Sequence, residues 1–462
     1  MNVDERELIE YVTEQRWYGS KSRTVSHSQV LDLVTLREAE PEYTLALVEI
    51  RFDTGSHEIY QLLLAYNDGE LELDGLLDPA LARELVHAIR SGLTLQGQEG
   101  VAEFRTVTGF AGLGREMLDA RSVGAEQSNT SIVFDDELIL KAFRRLEPGI
   151  NPELEMLRFL TEHGFANIAA LGGWYAYSGG PTAATLGILQ EFVQGGRDGW
   201  ALGVEEMESA PDAFLERLRR LGEVTGEMHT VLGSDANDSA FCPETPSVEA
   251  LGLLTATVDE EIEQVFLALP EDNELVEPIV GRGEEVREQL RMLTHAGSPG
   301  KAIRTHGDYH LGQTMWAPRR AGAPDAFPPG VGRSAAGASS DGDWVILDFE
   351  GEPARSLTER RRKRSPLRDV AGMLRSFAYL AIASGGTHEW EEQARSTFLD
   401  GYLETVDATL LPSGHAAIDR MLAVYELEKA VYELRYELDN RPEWVSIPVA
   451  GILRLIEQVA TS

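Results

Sequence analysis

At 462 residues, 43% hydrophobic and 8% aromatic, the chain is long enough for two or three domains with cores of their own, and it reads as globular rather than disordered. A formal net charge of −36 argues against nucleic acid and anionic membranes as partners, because so acidic a surface repels both. The sequence has no apolar run of about 18 residues, no signal-peptide core in Met1-Asn-Val-Asp-Glu-Arg-Glu-Leu8, and a lone Cys242 that cannot build a disulfide framework; a cytoplasmic monomer or small homo-oligomer is expected.

Residues 1 to about 95 read as a separate small α/β module. Helical spacing from Glu5 to Gln15 precedes an aromatic and basic knot, Gln15-Arg-Trp-Tyr-Gly-Ser-Lys-Ser-Arg23, which is either locally packed or a ligand site, packing being the commoner use of such residues. Val30 to Leu36, Tyr43 to Phe52 and Glu58 to Tyr66 predict three strands of a curved sheet, and Asp78 to Ser91 a helix. From about 96 to 195 a β-rich unit is expected. There a polar turn, Glu126-Gln-Ser-Asn-Thr-Ser131, leads into the apolar Ser131-Ile-Val-Phe134, and Leu138-Ile-Leu-Lys-Ala-Phe143 follows as a strand. Lys141 inside that apolar run must either reach water or meet an anion. Pro152 marks a helix start with Glu153 and Glu155 in its first turns. Leu186 to Val193 is a further strand, and Gly195-Gly-Arg-Asp-Gly199 a natural joint.

Helices dominate 196–462. Ala210 to Leu232 is amphipathic, with His229 on its apolar side as a packed or capping histidine; Val258 to Leu269 and Glu284 to Leu293 read as solvated helices. Arg304-Thr-His-Gly-Asp-Tyr-His-Leu-Gly-Gln313 then puts Asp308 beside a glycine in a polar loop, with a side-chain amide five positions on. Val345-Ile-Leu-Asp-Phe-Glu350 is a short apolar strand ending in two carboxylates. Either piece alone is common. In this order they supply what phosphoryl transfer from ATP needs, an acceptor for the substrate hydroxyl proton and oxygen ligands for Mg²⁺. Asp308 fits the first role; Gln313, Asp348 and Glu350 fit the second. This reading gives Lys141 the α- and β-phosphates, lets Ser128, Asn129, Thr130 and Ser131 donate in place of a glycine-rich loop, and puts the adenine edge on the backbone of Glu191 to Val193.

A Pro-, Gly-, Ala- and Ser-rich stretch at about 318–342 reads as a flexible insertion, either a tolerated surface loop or a lid. Glu359-Arg-Arg-Arg-Lys-Arg364 is a cationic run that either lines the phosphate end of the cleft or pairs with local acids. Asp369, near a helix start, is placed to hold loop backbone. In the final helix Tyr425, Lys429, Tyr432 and Tyr436 recur on one face, either a tyrosine-lined core stripe or a sugar site.

The run HGD-x-H-x-x-Q followed by D-F-E resembles the aminoglycoside phosphotransferase-like branch of the protein-kinase-like fold. Asp348-Phe-Glu-Gly-Glu-Pro353, Glu359-Arg-Arg361, Ser365 to Phe377, Glu126 to Ser131, Pro148-Gly-Ile-Asn-Pro152 and Asn440-Arg-Pro-Glu-Trp444 are similar to actinobacterial-type maltokinases. That resemblance implies an α+β, bilobal kinase-like fold: an N-terminal cap domain (1–95), a β-rich N-lobe (96–195) and a mostly helical C-lobe (196–462). It makes Glu155, after the Asn-Pro, the partner of Lys141. It assigns the acceptor site to the C-lobe, where His310, Tyr425, Lys429, Tyr432, Tyr436 and Arg441 are the candidates. The implied reaction is ATP-dependent phosphorylation of maltose at its anomeric hydroxyl, with a trehalose synthase as partner feeding α-glucan synthesis.

Three readings compete. A hexosamine kinase, notably for glucosamine, and an aminoglycoside-type kinase would share every catalytic residue, an acidic acceptor pocket favouring either amine. A silent scaffold would not need Lys141, Asp308, Gln313 and Asp348 all intact.

Overall fold

The computed structural model describes residues 4–68, 70–110, 119–123, 129–270, 272–294, 300–318, 342–353 and 355–460. Ser128 and nearly all of the 318–342 stretch lie outside the described residues. The chain forms two compact units, 1–162 with 168–195, and 163–167 with 196–462.

In the first unit, Val25–Arg37, Glu42–Phe52 and His57–Asn67 form an antiparallel sheet, its far edge extended by Arg145–Leu146. The central strand reads as one apolar run because both of its faces are covered. Ala46, Val48 and Ile50 face the helix Glu5–Glu14 with Trp17 and Tyr18, while Leu45 and Leu47 face the helix Pro79–Ser91 and the second sheet. The Trp17–Tyr18 knot is packed: both rings lie against Tyr60, at 5.6 and 5.9 Å between centroids. The second sheet has seven antiparallel strands, in the order Thr94–Gln96, Gly100–Thr106, Leu171–Gly179, Ala183–Glu191, Leu138–Phe143, Asn129–Phe134, Ala120–Ser122. A buried ion pair, Arg144 to Asp74 at 2.8 Å, joins the two sheets, and Tyr11 and Thr130 satisfy the remaining polar atoms around it.

The second unit has a three-stranded sheet, Arg197–Asp198, Thr314–Ala317 and Asp343–Ile346, and is otherwise helical. The long helix His415–Asn440 sits against Val248–Leu267, Gly283–Thr294, Leu367–Ala383 and Ser446–Ala460, sharing one apolar cluster with most of them. The last of these helices follows the stretch that the sequence reading took as final. Helices Pro211–Leu232 and His388–Thr405 pack so closely that a Cβ on Gly222 would run into the Phe398 carbonyl.

Candidate active site

The catalytic-loop candidate is held from beneath. Asp369, in the first turn of Leu367–Ala383, accepts the His306 N–H at 2.7 Å and the Gly307 N–H at 3.0 Å. The His229 Nε2 lies 3.2 Å from the same carboxylate, and its Nδ1 lies 3.1 Å from the Tyr402 hydroxyl. An ionised carboxylate only accepts, so His229 donates from Nε2. Burial alone would raise the Asp369 carboxyl; His229, His306 and the Gly307 amide hold it below the usual range. Gly307 has φ 88°, a backbone conformation that residues with a side chain rarely adopt.

His306 ties this loop to the strand with the acidic end. Its Nε2 donates to the Leu347 carbonyl at 2.8 Å, and its Nδ1 accepts the Asp308 N–H at 3.4 Å. The ring is clamped between Tyr309 and Phe349, with centroids at 5.2 and 4.9 Å. Tyr309 is anchored in turn, its hydroxyl 2.8 Å from Thr225 Oγ1. Asp308 itself is half-buried, and among the described residues its carboxylate accepts no hydrogen bond. It is free to take a proton.

Strands Thr314–Ala317 and Asp343–Ile346 bring Gln313 and Asp348 together from 35 positions apart: Gln313 Nε2 donates to Asp348 Oδ2 at 3.0 Å, and the Leu347 N–H reaches the Gln313 carbonyl at 2.9 Å. Asp348 sits in the left-handed region at φ 59°, a strained backbone of the kind that functional sites retain. Carboxylate oxygens of Asp348 and Glu350 come within 4.8 Å of each other. With the Gln313 amide oxygen they form a hard, all-oxygen donor set, which suits Mg²⁺ and not a soft metal.

In the first unit, Lys141 Nζ lies 2.8 Å from Glu153 Oε2, both side chains largely buried. Glu155, chosen from the resemblance, is two positions further on, and residues two apart on a helix point to different sides. The ion pair seen at Lys141 is thus with Glu153, a neighbour of the carboxylate expected from the resemblance. The place of Glu153 is fixed because Asn151 accepts its N–H at 2.7 Å and donates its own N–H to Thr185 at 3.1 Å. Ser131 stands opposite Lys141 in the sheet register. Thr130 faces the other way, its hydroxyl oxygen accepting from Arg144 Nε at 2.7 Å. Along Glu191 to Val193, the Glu191 N–H is bound by Ala170 and the Phe192 N–H by Glu137, while among the described residues Val193 makes no main-chain hydrogen bond.

The acceptor candidates separate along their helix. Tyr425 is buried under Arg368, whose guanidinium lies 5.7 Å from its ring centroid. Tyr436 is exposed beneath Arg441, which forks onto Glu437 at 2.7 and 2.9 Å. Between them, Lys429 reaches Glu352 at 3.4 Å. Burial would lower the Lys429 ammonium, but Glu352, Asp308 and Glu433 hold it above the ordinary range. Burial, Glu352 and Asp308 likewise push the Tyr432 hydroxyl up. Lys429 and Tyr432 thus feel the charge of Asp308. His310 caps the turn Leu311–Gln313, its Nδ1 accepting the Gly312 N–H at 3.1 Å, and burial holds it below the usual imidazole range against the pull of Asp308. Sequence reasoning stopped at Glu350 and missed Glu352, which bonds Arg355 as well as Lys429; the Gly-Glu-Pro after the acidic strand end was its only signal.

Residues 11–95 match the model of the maltokinase N-terminal cap domain. Over 73% of its length the chain is 24% identical to the glucosamine kinase of Streptacidiphilus jiangxiensis, covering 74% of that protein. It is also 24% identical to the glucosamine kinase of Mycolicibacterium smegmatis, over 73% of this chain and 80% of that one. A solved glucosamine kinase in complex with glucosamine, ADP and inorganic phosphate aligns with a TM-score of 0.71 at 20% identity, over 96% of this chain and 98% of its own. The fold is the expected one, a maltokinase-type cap ahead of a kinase-like α+β body.

Proposed function

We propose that this chain is an ATP-dependent sugar kinase whose acceptor is maltose, giving maltose 1-phosphate. The observation that carries the kinase reading is Asp308: a carboxylate with no hydrogen-bond donor among the described residues, on a loop whose backbone is fixed by Asp369 and tied to Asp348 through His306. The sugar hydroxyl oxygen attacks the γ-phosphorus of ATP, its proton passes to Asp308, and the bond from that phosphorus to the bridging oxygen breaks to release ADP. Gln313, Asp348 and Glu350 would hold Mg²⁺, which supplies charge neutralisation on the phosphates. Lys141, oriented by Glu153, adds a second positive charge, with Asn129 and Ser131 as donors and Val193 on the adenine edge. The protein contributes positioning and fixed charge.

Maltose is favoured by the maltokinase-type cap at 11–95 and by Lys429, held positive near Asp308, which repels an ammonium acceptor. The second reading, glucosamine, is favoured by the names of the curated relatives. On the maltose reading, a trehalose synthase supplies the acceptor and α-glucan synthesis consumes the product in the cytoplasm. Mg²⁺-ATP-dependent ADP release against maltose, glucosamine, glucose and an aminoglycoside, at low and high salt, decides between them. Turnover of glucosamine alone removes maltose and keeps the kinase; no turnover with any acceptor leaves the scaffold reading.

A further inference from the structure

The basic run Glu359 to Arg364 has no part in the reaction derived above, and the structure places Glu359, Arg360 and Arg364 in a small recess within the second unit. Arg355, Arg360, Arg364, Arg368 and Lys429 line this recess with Glu352, Glu359 and Asp369, five cations against three carboxylates, in a chain whose net charge is −36. The carboxylates are already engaged. Asp369 is spent on the loop amides and His229, Glu359 on the backbone N–H and hydroxyl of Ser356, and Glu352 on Arg355 and Lys429. Arg368 has Glu428 at 2.8 Å, and Arg360 donates to the Glu350 carbonyl at 3.3 Å. Arg364 differs: among the described residues no carboxylate lies within ion-pair distance of it, although it is partly buried and its backbone is fixed by paired hydrogen bonds to Ile303 at 2.8 and 2.9 Å. Burial and the facing guanidinium groups of Arg368 and Arg355 push Arg364 down to about 10, against the pull of Glu428 and Glu352, so it stays charged at neutral pH.

A rigidly held guanidinium facing other guanidinium groups stores repulsion that an oxyanion would relieve, and its planar fork suits two phosphate oxygens. We infer that this recess is a binding site for a phosphate monoester or inorganic phosphate, with Arg364 as its principal ligand and Arg355, Arg360 and Arg368 around it. Thr305, Gly307 and Tyr309 line the same recess, so the bound anion lies against the loop that carries Asp308. The site does not depend on the kinase reading; only the natural source of the phosphate does.

Calorimetric titration of the full-length protein without nucleotide tests it, using inorganic phosphate, glucose 1-phosphate, maltose 1-phosphate and maltose as probes. Binding of the phosphates is expected, weakened at least tenfold by Arg364→Gln and partly restored in Arg364→Lys, with the maltose titration unchanged. Arg355→Gln, a second variant, is expected to weaken the phosphates several-fold, and thermal melts identify any variant that fails to fold. Equal affinity for the three phosphates marks the phosphate group as the feature read; tighter binding of maltose 1-phosphate marks the sugar phosphate as the source. Absence of heat with every phosphate, or unchanged affinity in folded Arg364→Gln, overturns the site. Because no ATP is present, a chain inactive as a kinase can still pass this test.

Discussion

Asp369 accepts the main-chain N–H of His306 at 2.7 Å, so one side chain from a helix start sets the conformation of the loop that presents Asp308. The same carboxylate serves Gly307 and His229, and it is fully buried. Asp369→Asn keeps the shape but supplies one accepting oxygen where three donors converge. Leaving buried donors unmet costs on the order of 2–4 kcal/mol. Urea unfolding should show a loss of that size, and turnover should fall about a hundredfold even where the variant remains folded. A variant as stable and as active as the parent would remove Asp369 from this role.

Asp308→Asn separates chemistry from architecture. The carboxylate accepts no hydrogen bond among the described residues, so its replacement should leave the melting temperature within about 2 °C, the scale of a surface substitution. Loss of the proton acceptor should lower kcat by roughly 10²–10⁴ with nucleotide binding retained. An unchanged kcat would favour the scaffold reading.

The Lys141–Glu153 pair predicts an ordering between two neighbouring carboxylates. Glu153→Gln removes the anion 2.8 Å from a largely buried ammonium, and KM for ATP should rise about tenfold, which corresponds to about 1.4 kcal/mol. Glu155→Gln should change it by less than threefold. The reverse order would return the pairing to Glu155.

Sequence pattern picked out the candidate catalytic pieces because they sit in contiguous runs: the loop around Asp308, the strand ending in Asp348 and the Lys inside an apolar strand. What it could not disclose was partnership. Whether Glu153 or Glu155 meets Lys141 depends on how Asn151 and Thr185 seat the first helical turn, a contact over 34 positions. The fate of the Thr130 hydroxyl depends on Arg144 and on Asp74, 70 positions away from Arg144 in the chain. The tyrosine stripe is on one helix face as its spacing requires, yet it runs from core at Tyr425 to solvent at Tyr436. Glu352 had no periodicity to betray it.

Acid should unfold the protein from a definable point. Asp369, Glu352 and Glu426 are held below the carboxylate range by His229 and loop amides, by Lys429 and Arg355, and by Arg395 and Arg454, each against the opposing effect of burial. A carboxyl whose folded pKa is depressed adds stability that is complete above its unfolded value, near pH 4, and is lost as pH falls through the folded value. Glu227 and Glu261, raised by burial, act in the opposite direction. Unfolding free energy measured from pH 7 to pH 3 should therefore fall most steeply below about pH 4, and Asp369→Asn should flatten that limb. A limb of unchanged slope in the variant would show that Asp369 titrates alike in both states.

Lys429→Met addresses the choice of acceptor. The ammonium is kept charged by Glu352 and by Asp308, so it raises the local potential where an acceptor hydroxyl must approach the base. At an effective dielectric near 20, a like charge several ångströms away costs an amino sugar about 1–2 kcal/mol. Removing it should raise kcat/KM for glucosamine relative to maltose by about tenfold, whichever sugar the parent prefers. The effect should shrink as salt is raised only where the site is open to solvent. A ratio that does not move would mean that Lys429 serves Glu352 and the packing of its helix, and that discrimination lies with Tyr432 or with groups on the opposite wall.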